Sequence, residues 1–241
     1  MARKKTDGKT YKQCLNVQNF QLAHYMGVGR WNIPPIYNQV ADYEPCTFLD
    51  FGAKIPEDGV YGCHFFLDDH LFQRVWNNPT MQLNKLRRYK YVLAPDFSLF
   101  IDYPKALSLY NHYRKHWCAR FWQDNGINVI PVARWMYRDS WEWCFDGEPR
   151  GGIVAVSSKG INNDALMIEM FRAGYDAMEK VLHPKQVLWF GKYCLTDVRD
   201  NITLCKTGFE DRIAMLRANH ARIPKYKLNQ DQGGTEAYDE T

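Results

Sequence analysis

Short apolar runs that recur along the chain constrain its fold more than any other feature of the sequence. Five runs begin at positions 47, 91, 128, 153 and 186, so successive runs start 25 to 44 residues apart. Each is apolar on both faces and ends at a Pro, a Gly or a polar residue, which is typical of a strand buried in a parallel sheet. The runs are Thr47–Phe51, Tyr91–Ala94, Asn128–Val132, Ile153–Val156 and Gln186–Phe190.

Amphipathic segments between these runs predict helices. Apolar residues recur at intervals of three and four from position 106 to 121, and Pro104 suits the first helical position before them. A second helix is predicted to start at an N-cap on Asn163 or Asp164 and to stop before Pro184. Helices that alternate with strands at this spacing predict βα units.

This alternation predicts an α/β fold with a mostly parallel sheet of about five to seven strands flanked by helices. Ile33–Tyr37 and Ile202–Cys205 are candidates for the two additional strands. Five convincing strands are fewer than the eight of a full (β/α)8 barrel, so we expect an open sheet or an incomplete barrel. Apolar residues make up 46% of the chain and charged residues 24%, as in ordinary globular proteins.

Charge divides the chain into segments. We predict a basic N-terminal tail over 1–14, a single α/β domain over 15–205, a basic helical extension over 206–228 and an acidic flexible tail over 229–241. The net charge of +4 is too small to indicate a nucleic-acid partner by itself. The basic segments would suit contact with phosphates, but ordinary solvated termini account for them equally well.

The cysteines and the lengths of the apolar runs bear on the compartment. The seven cysteines are an odd number and include no Cys-x-x-Cys pair, which favours reduced thiols over disulfides or a structural zinc site. No apolar run approaches the ~20 residues that cross a bilayer, and none follows the polar start of the chain. We therefore expect a cytoplasmic protein without a membrane partner.

Polar residues that follow the predicted strands predict one functional rim, because ligands of parallel sheets bind at the strand carboxyl ends. Asp50 and Asp96 would act as general acid and base, or would share a divalent cation such as Mg²⁺. Arg134 and Lys192 would assist as cations. The alternative is structural: Asp96 bonds within its own turn, and Asp50 has a partner in the interior.

A small-residue turn after the fourth run is a candidate phosphate site. It consists of Ser157, Ser158, Lys159 and Gly160 and leads into the second predicted helix. Backbone N–H groups in such a turn and the positive end of the helix dipole favour an anion. The segment is not a Walker A loop, and plain βα turns have similar composition, so both interpretations stay open.

Aromatic residues crowd the segment after the third run. Trp135, Trp141 and Trp143 lie close in sequence to Arg134 and Arg138, a combination that suits stacking on a base or a sugar. The alternative is a small hydrophobic lid over the core. Two histidines on the first predicted helix, one turn apart at positions 112 and 116, lack the glutamate of an HExxH motif, so we expect them at a solvated edge.

A set of motifs in fixed order resembles a known family. The motifs are HFFLDDHLF at 64–72, WNNP at 76–79, PDFSLF at 95–100, YNHYR at 110–114, GINVIP at 126–131, CFDG at 144–147 and VAVS at 154–157. Together they resemble the domain-of-unknown-function family numbered 4417, found in bacteriophages, plasmids and integrative elements. The resemblance covers roughly residues 15–195 and implies a protein that a mobile element encodes and that acts in the host cytoplasm.

This resemblance assigns no activity, but it marks polar positions that belong to the family pattern. These are Asp68, Asp69, Asp96, Ser98, Asn111, Arg114, Asp146 and Ser157. Two functions remain open, and with them the question whether the protein is an enzyme. One is binding of a phosphate-bearing ligand, a nucleotide or nucleic acid, at the strand carboxyl ends, with phosphodiester hydrolysis as its catalytic form. The other is a non-enzymatic interaction protein that inhibits or regulates a host factor.

Overall fold

A computed structural model describes residues 18–161 and 164–208 of the chain. Seven strands lie in these ranges: β1 (Thr47–Asp50), β2 (Tyr61–His64), β3 (Tyr91–Leu93), β4 (Val129–Ile130), β5 (Ile153–Ser157), β6 (Gln186–Phe190) and β7 (Ile202–Cys205). The helices are α1 (Asp69–Phe72), α2 (Arg74–Asn77), α3 (Pro79–Leu86), α4 (Lys105–Asp124) and α5 (Ala165–Leu182), and a 3-10 helix spans Arg138–Glu142. The predicted α/β class is confirmed.

The strands form two parallel sheets, in the orders β1-β2-β3-β4 and β5-β6-β7, so strands consecutive in sequence pair in space. Isolated parallel bridges join the two sheets, Val132 with Ala155 and Phe48 with Thr207, and the Phe48 ring of one sheet packs on the Phe190 ring of the other. Pro131 follows β4 directly and has no N–H to donate, which ends the hydrogen-bond ladder there. The prediction of one sheet with five to seven strands is therefore corrected to two sheets, and no closed barrel forms.

The strand predictions differ from the structure at two places. Each of the five apolar runs contains a strand, and Ile202–Cys205 is β7 as proposed. Ile33–Tyr37 is not a strand, because only Ile33 makes an isolated bridge, with Val28. β2 was missed because its sequence, Tyr-Gly-Cys-His, is not an apolar run. Gly62 is required there, since a Cβ would lie 2.4 Å from the Phe48 ring of the neighbouring strand.

Both long helices form where their sequence signals predict. α4 begins at Lys105, directly after Pro104, which is the N-cap rather than the first helical residue. At the start of α5 the Asp164 carboxylate accepts hydrogen bonds from the backbone N–H groups of Leu166 and Met167, at 2.9 and 3.2 Å. Asp164 is therefore the N-cap, while Asn163 lies outside the described residues.

The apolar core has two parts. The larger lies in and around the four-stranded sheet and includes Phe48, Phe65, Trp117 and Trp122. The smaller lies between the three-stranded sheet, α5 and the segment around the 3-10 helix, and includes Trp135, Trp143, Tyr175 and Trp189. Helix α4 contributes to the first part and passes close to the second, so both sheets are fixed relative to this helix.

Most of the predicted terminal segments lie outside the residues that the structure describes. The predicted tails, 1–14 and 229–241, lie outside them, as do residues 209–228 of the predicted extension.

None of the helices described here is long and apolar enough to span a membrane. Six cysteines within the described ranges are free thiols, namely Cys46, Cys63, Cys118, Cys144, Cys194 and Cys205.

Candidate functional site

A cavity of about 340 Å³ opens at the carboxyl ends of β3, β4 and β5. Its polar lining comes from the predicted rim: Asp96 after β3, Arg134 after β4, Ser157 at the end of β5 and Lys159 in the turn that follows. The remaining wall is mainly apolar and includes Phe100, Ile101, Trp135, Met167 and Phe171. An apolar cavity with a few convergent polar groups is the usual form of a small-molecule site.

Asp96 is the most buried polar group of this cavity, at 6% exposure. Its Oδ2 accepts a hydrogen bond of 2.7 Å from Arg134 Nη1, whereas Oδ1 has no hydrogen-bond partner among the described residues. Burial raises the pKa of the Asp96 carboxyl by more than the positive charges of Arg134 and Lys115 lower it. Asp96 therefore lines the cavity with one carboxylate oxygen paired and the other without a partner among the described residues.

A polar network holds the loop that carries Asp96. The Asp69 carboxylate accepts hydrogen bonds from the backbone N–H and the hydroxyl of Ser98, at 3.0 and 2.8 Å. The Asn111 amide donates to the Ser98 carbonyl at 2.7 Å, and Arg114 Nη2 donates to Asn111 Oδ1 at 2.6 Å. Four of the family-pattern residues thus connect α1, α4 and the loop after β3.

Two other family-pattern residues lie apart from this network. Asp68 is the exposed residue before α1, where its side chain makes no capping hydrogen bond. The Asp146 carbonyl oxygen lies 3.0 Å from Nε2 of His112. The Asp146 carboxylate packs so closely on Gly29 that a Cβ there would lie 2.2 Å from Oδ2.

The turn from Ser157 to Gly160 offers fewer donors than its sequence suggests. The Ser157 hydroxyl accepts a 3.2 Å hydrogen bond from the Lys159 N–H. The Ser158 hydroxyl points to the neighbouring strand, where its contacts are the carbonyls of Phe190 and Lys192, at 3.2 and 2.6 Å. Gly160 has φ of +86°, a conformation that favours glycine. The Asp164 carboxylate occupies the N–H groups of Leu166 and Met167 in the following helix, so these groups do not bind an anion. The polar side chains that this turn adds to the cavity are Ser157 and Lys159.

Asp50 is paired with His64 where β1 and β2 end. Asp50 Oδ1 lies 2.9 Å from Nε2 of His64, and His64 Nδ1 accepts a hydrogen bond from the Phe66 N–H, so Nε2 carries the proton. His64 is fully buried, whereas the Asp50 side chain is 37% exposed. The His64 hydrogen bond lowers the pKa of Asp50 against the effect of burial, and the charge of Lys159 acts in the same direction. Lys159 thus acts on the charge of Asp50 and also lines the cavity.

The remaining predicted site residues are placed as follows. Trp135 lines the cavity, and its indole N–H donates to the Phe171 carbonyl at 3.2 Å. Trp143 is buried against His112, with ring centroids 5.5 Å apart. Trp141 is half-buried and packs against the smaller part of the apolar core, to which Trp143 belongs. Lys192 is exposed. Within the described ranges, no group of three or more His, Cys, Asp and Glu side chains could hold a metal ion.

A buried polar cluster on α4 was missed by sequence reasoning. Lys115 forms an ion pair with Glu148 and donates to the Val132 carbonyl at 2.8 Å. Glu148 Oε1 also lies 3.2 Å from Nε2 of His116. The expected solvated edge is wrong, because His112 and His116 are only 2% and 0% exposed. No local pattern signals this cluster, because His112, Lys115 and His116 resemble ordinary polar residues of a helix and their partner Glu148 belongs to another segment.

Comparisons with known proteins bear on identity. A family model described as "Domain of unknown function (DUF4417)" matches residues 28–207. The "Gene 1 protein" of Mycobacterium phage D29 is 41% identical over 167 residues, which are 65% of this chain and 62% of that protein. The "Gene 1 protein" of Mycobacterium phage L5 is 42% identical over 129 residues, 54% of this chain and 56% of that protein. The chain thus spans less than two thirds of either relative, and no solved structure matches it.

Proposed function

Because the chain belongs to the DUF4417 family, whose description states no activity, we propose its function from the cavity: it binds a small phosphate-bearing ligand of the nucleotide class at the carboxyl ends of β3, β4 and β5. The observation that carries this proposal is the convergence of two cations and a hydroxyl, Arg134, Lys159 and Ser157, on one apolar cavity. The phage source of the two relatives supports action inside a host cell.

The cations supply donors suited to phosphate. Arg134 uses Nη1 on Asp96, and its side chain stays 29% exposed, so its other N–H groups are available to ligand oxygens. Lys159 adds a half-buried point charge to the lining of the cavity. The Ser157 hydroxyl, which accepts from the Lys159 N–H, keeps its own proton to donate.

The apolar wall suits the remainder of a nucleotide. Two of the three methionines of α5, Met167 and Met170, line the cavity together with Phe171. Phe100 and Ile101 line it from the loop after β3. Flat aromatic and flexible thioether side chains are well matched to the faces of a base. Phe100 and Ile101 are about half exposed in the absence of a ligand, so a base that covered them would remove apolar surface from water.

Hydrolysis of a phosphodiester is the catalytic form of this proposal. Burial raises the pKa of Asp96, which suits a general acid or base, and Asp96 lies beside Arg134, which would stabilise charge that develops on the phosphate. Asp50, oriented by His64 and close to Lys159, is the second carboxylate. Turnover of a generic phosphodiester by the wild type and its loss in Asp96→Asn would support this form, and equal rates would exclude it.

The binding proposal is tested by thermal unfolding with nucleotides, short oligonucleotides and inorganic phosphate, at low and physiological salt. A ligand that binds only the folded state raises the melting temperature by mass action. We expect Arg134→Ala and Lys159→Ala each to weaken binding about 10-fold or more, because hydrogen bonds to charged groups are lost. Lys180→Ala, an exposed lysine farther along α5, is the matched control and should bind as the wild type does.

Two outcomes would contradict the proposal. If no phosphate compound shifts the melting temperature, the cavity does not serve this ligand class, and the interaction-protein hypothesis becomes the better one. If a compound binds but Arg134→Ala and Lys159→Ala bind it like Lys180→Ala, the ligand lies elsewhere on the protein.

A further inference from the structure

The unpaired oxygen of Asp96 restricts which ligand fits the cavity. A buried acceptor without a partner is costly, and most buried polar atoms in proteins are paired. Asp96 Oδ1 has no hydrogen-bond partner among the described residues, and the residue, which is only 6% exposed, lines the cavity. A second anion beside it would be repelled, so the part of the ligand that meets Asp96 carries a hydrogen-bond donor rather than phosphate.

The polar groups are arranged along the cavity in strand order. Asp96 follows β3, Arg134 follows β4, and Ser157 with Lys159 belongs to the end of β5. Neighbouring strands lie about 4.8 Å apart, so the two ends of this row are separated by roughly 10 Å. One end offers an acceptor and the other offers donors and positive charge. A ligand that uses both ends is elongated, with a donor group at one end and an anionic group at the other.

The wall near Asp96 favours a base over a sugar as the donor. Leu99, Phe100 and Ile101 belong to the same loop as Asp96 and line the cavity beside it. A sugar placed there would leave hydroxyl groups against apolar side chains, which is unfavourable. A nucleobase presents apolar faces to these side chains and N–H groups at its edge.

We propose that Asp96 accepts a hydrogen bond from an N–H group of a nucleobase, so that the ligand is a nucleotide with its base at Asp96 and its phosphate at Ser157 and Lys159. This inference rests on the binding part of the proposed function and adds the orientation and the selectivity of binding. It excludes the hydrolytic form, which needs the phosphate at Asp96 and Arg134. Arg134 lies between the two ends and holds Asp96 through Nη1.

The first experiment uses the wild-type protein alone. Isothermal titration compares the four nucleoside monophosphates, ribose 5-phosphate and inorganic phosphate. At least one nucleotide should bind about 10- to 100-fold more tightly than ribose 5-phosphate, since a hydrogen bond to a charged group is gained. An analogue of that nucleotide with its donor nitrogens methylated should lose the same factor. Equal binding of ribose 5-phosphate and all four nucleotides would overturn the inference.

The second experiment compares Asp96→Asn with Lys159→Ala. Because Arg134 needs an acceptor, the new amide turns its carbonyl oxygen to Arg134 and its NH2 group to the ligand, where it faces the N–H of the base. Asp96→Asn should therefore reduce nucleotide affinity to the level of ribose 5-phosphate and leave ribose 5-phosphate unchanged. Lys159→Ala should weaken both compounds equally.

The possible failures can be told apart. If Asp96→Asn weakens both compounds alike, or neither, Asp96 does not read the base, although the phosphate site stands as long as Lys159→Ala weakens both. If no phosphate compound binds the wild type, the proposed function and this inference both fail. Should Asp96→Asn not fold, the titrations on the wild type still decide the question.

Discussion

Two polar clusters, each with a buried carboxylate and a cationic partner, lie next to Val132. In the first, Lys115 and His116 of α4 both contact Glu148 in the core, and Lys115 donates to the Val132 carbonyl. In the second, Val132 lines the cavity together with Asp96 and its partner Arg134. Each cluster centres on a buried carboxylate, but one is enclosed by protein and the other borders open space.

The two carboxylates have opposite pKa shifts. Burial raises the pKa of Glu148, but the charges and hydrogen bonds of Lys115 and His116 outweigh it and lower the net value. Burial also raises the pKa of Asp96, and there Arg134 and the more distant Lys115 do not compensate. The number of donors on the carboxylate therefore distinguishes the two clusters. Glu148 takes two donors on Oε1 and is held as a structural anion, whereas Asp96 takes one donor on Oδ2 and lines a cavity. The second oxygen of each carboxylate has no hydrogen-bond partner among the described residues.

The largest effect that this comparison predicts is on stability at Glu148. Glu148→Gln leaves the Lys115 ammonium buried without its counter-ion, which typically costs about 3–5 kcal/mol in the free energy of unfolding. Urea unfolding at pH 7 measures it. The matched control is Lys105→Ala, which removes a pair with Asp139 whose side chains are 69% and 65% exposed. This control should leave stability nearly unchanged, because an exposed pair is screened by water and salt.

A double variant sharpens this result. Lys115→Met with Glu148→Met removes both charges, so no buried charge is left uncompensated, and it should cost less than Glu148→Gln alone. If Glu148→Gln is no more destabilising than Lys105→Ala, the cluster on α4 does not stabilise the fold. The distinction between a structural carboxylate at Glu148 and a binding carboxylate at Asp96 would then be wrong.

The next effect is on the pH dependence of stability. Burial, His116 and Lys115, in that order, lower the pKa of His112 well below its ordinary value. The unfolded chain therefore binds a proton near pH 6.5 that the folded protein resists, and stability falls as pH decreases below about 6.5. Each such histidine adds a slope of up to about 1.4 kcal/mol per pH unit.

His112→Gln tests this slope, because the amide can still donate to the Asp146 carbonyl that His112 Nε2 contacts. Urea unfolding between pH 5 and pH 7.5 should give a shallower decline for the variant than for the wild type. Parallel declines would show that His112 is protonated in the fold as readily as in the unfolded chain.

The cavity was more accessible to sequence reasoning than the cluster on α4. Apolar runs place the strands, and the rule that ligands bind at strand carboxyl ends brings Asp96, Arg134, Ser157 and Lys159 together. Lys115 and Glu148 are 33 positions apart, and each resembles a surface charge when it is considered alone. Their pairing depends on how α4 packs against the segment after the 3-10 helix, which local patterns do not encode.

Details within the predicted turn were also beyond the sequence. Whether the Ser158 hydroxyl faces a ligand or the next strand depends on the backbone path through Gly160 and on the neighbouring strand, β6. β2 could not be recognised because Gly62, which the Phe48 ring requires, interrupts its apolar pattern. In both cases a contact between distant segments decides the local structure.

The smallest expected effect on stability, and the most diagnostic one, belongs to Asp96→Asn. Because the fold raises the pKa of Asp96, its ionised form is less favourable in the folded state, and this carboxylate reduces stability as pH rises above its ordinary value near 3.9. Its amide replacement has no charge to bury and still accepts from Arg134. We therefore expect stability at pH 7 within about 1 kcal/mol of the wild type, with the variant gaining relative to the wild type between pH 4 and pH 7. Urea unfolding across this range measures the difference.

A loss of stability as large as that of Glu148→Gln would mean that Asp96 also stabilises the fold. If instead the Asp96→Asn variant is as stable as the wild type but no longer distinguishes nucleotides from ribose 5-phosphate, Asp96 is a binding carboxylate and Glu148 a structural one.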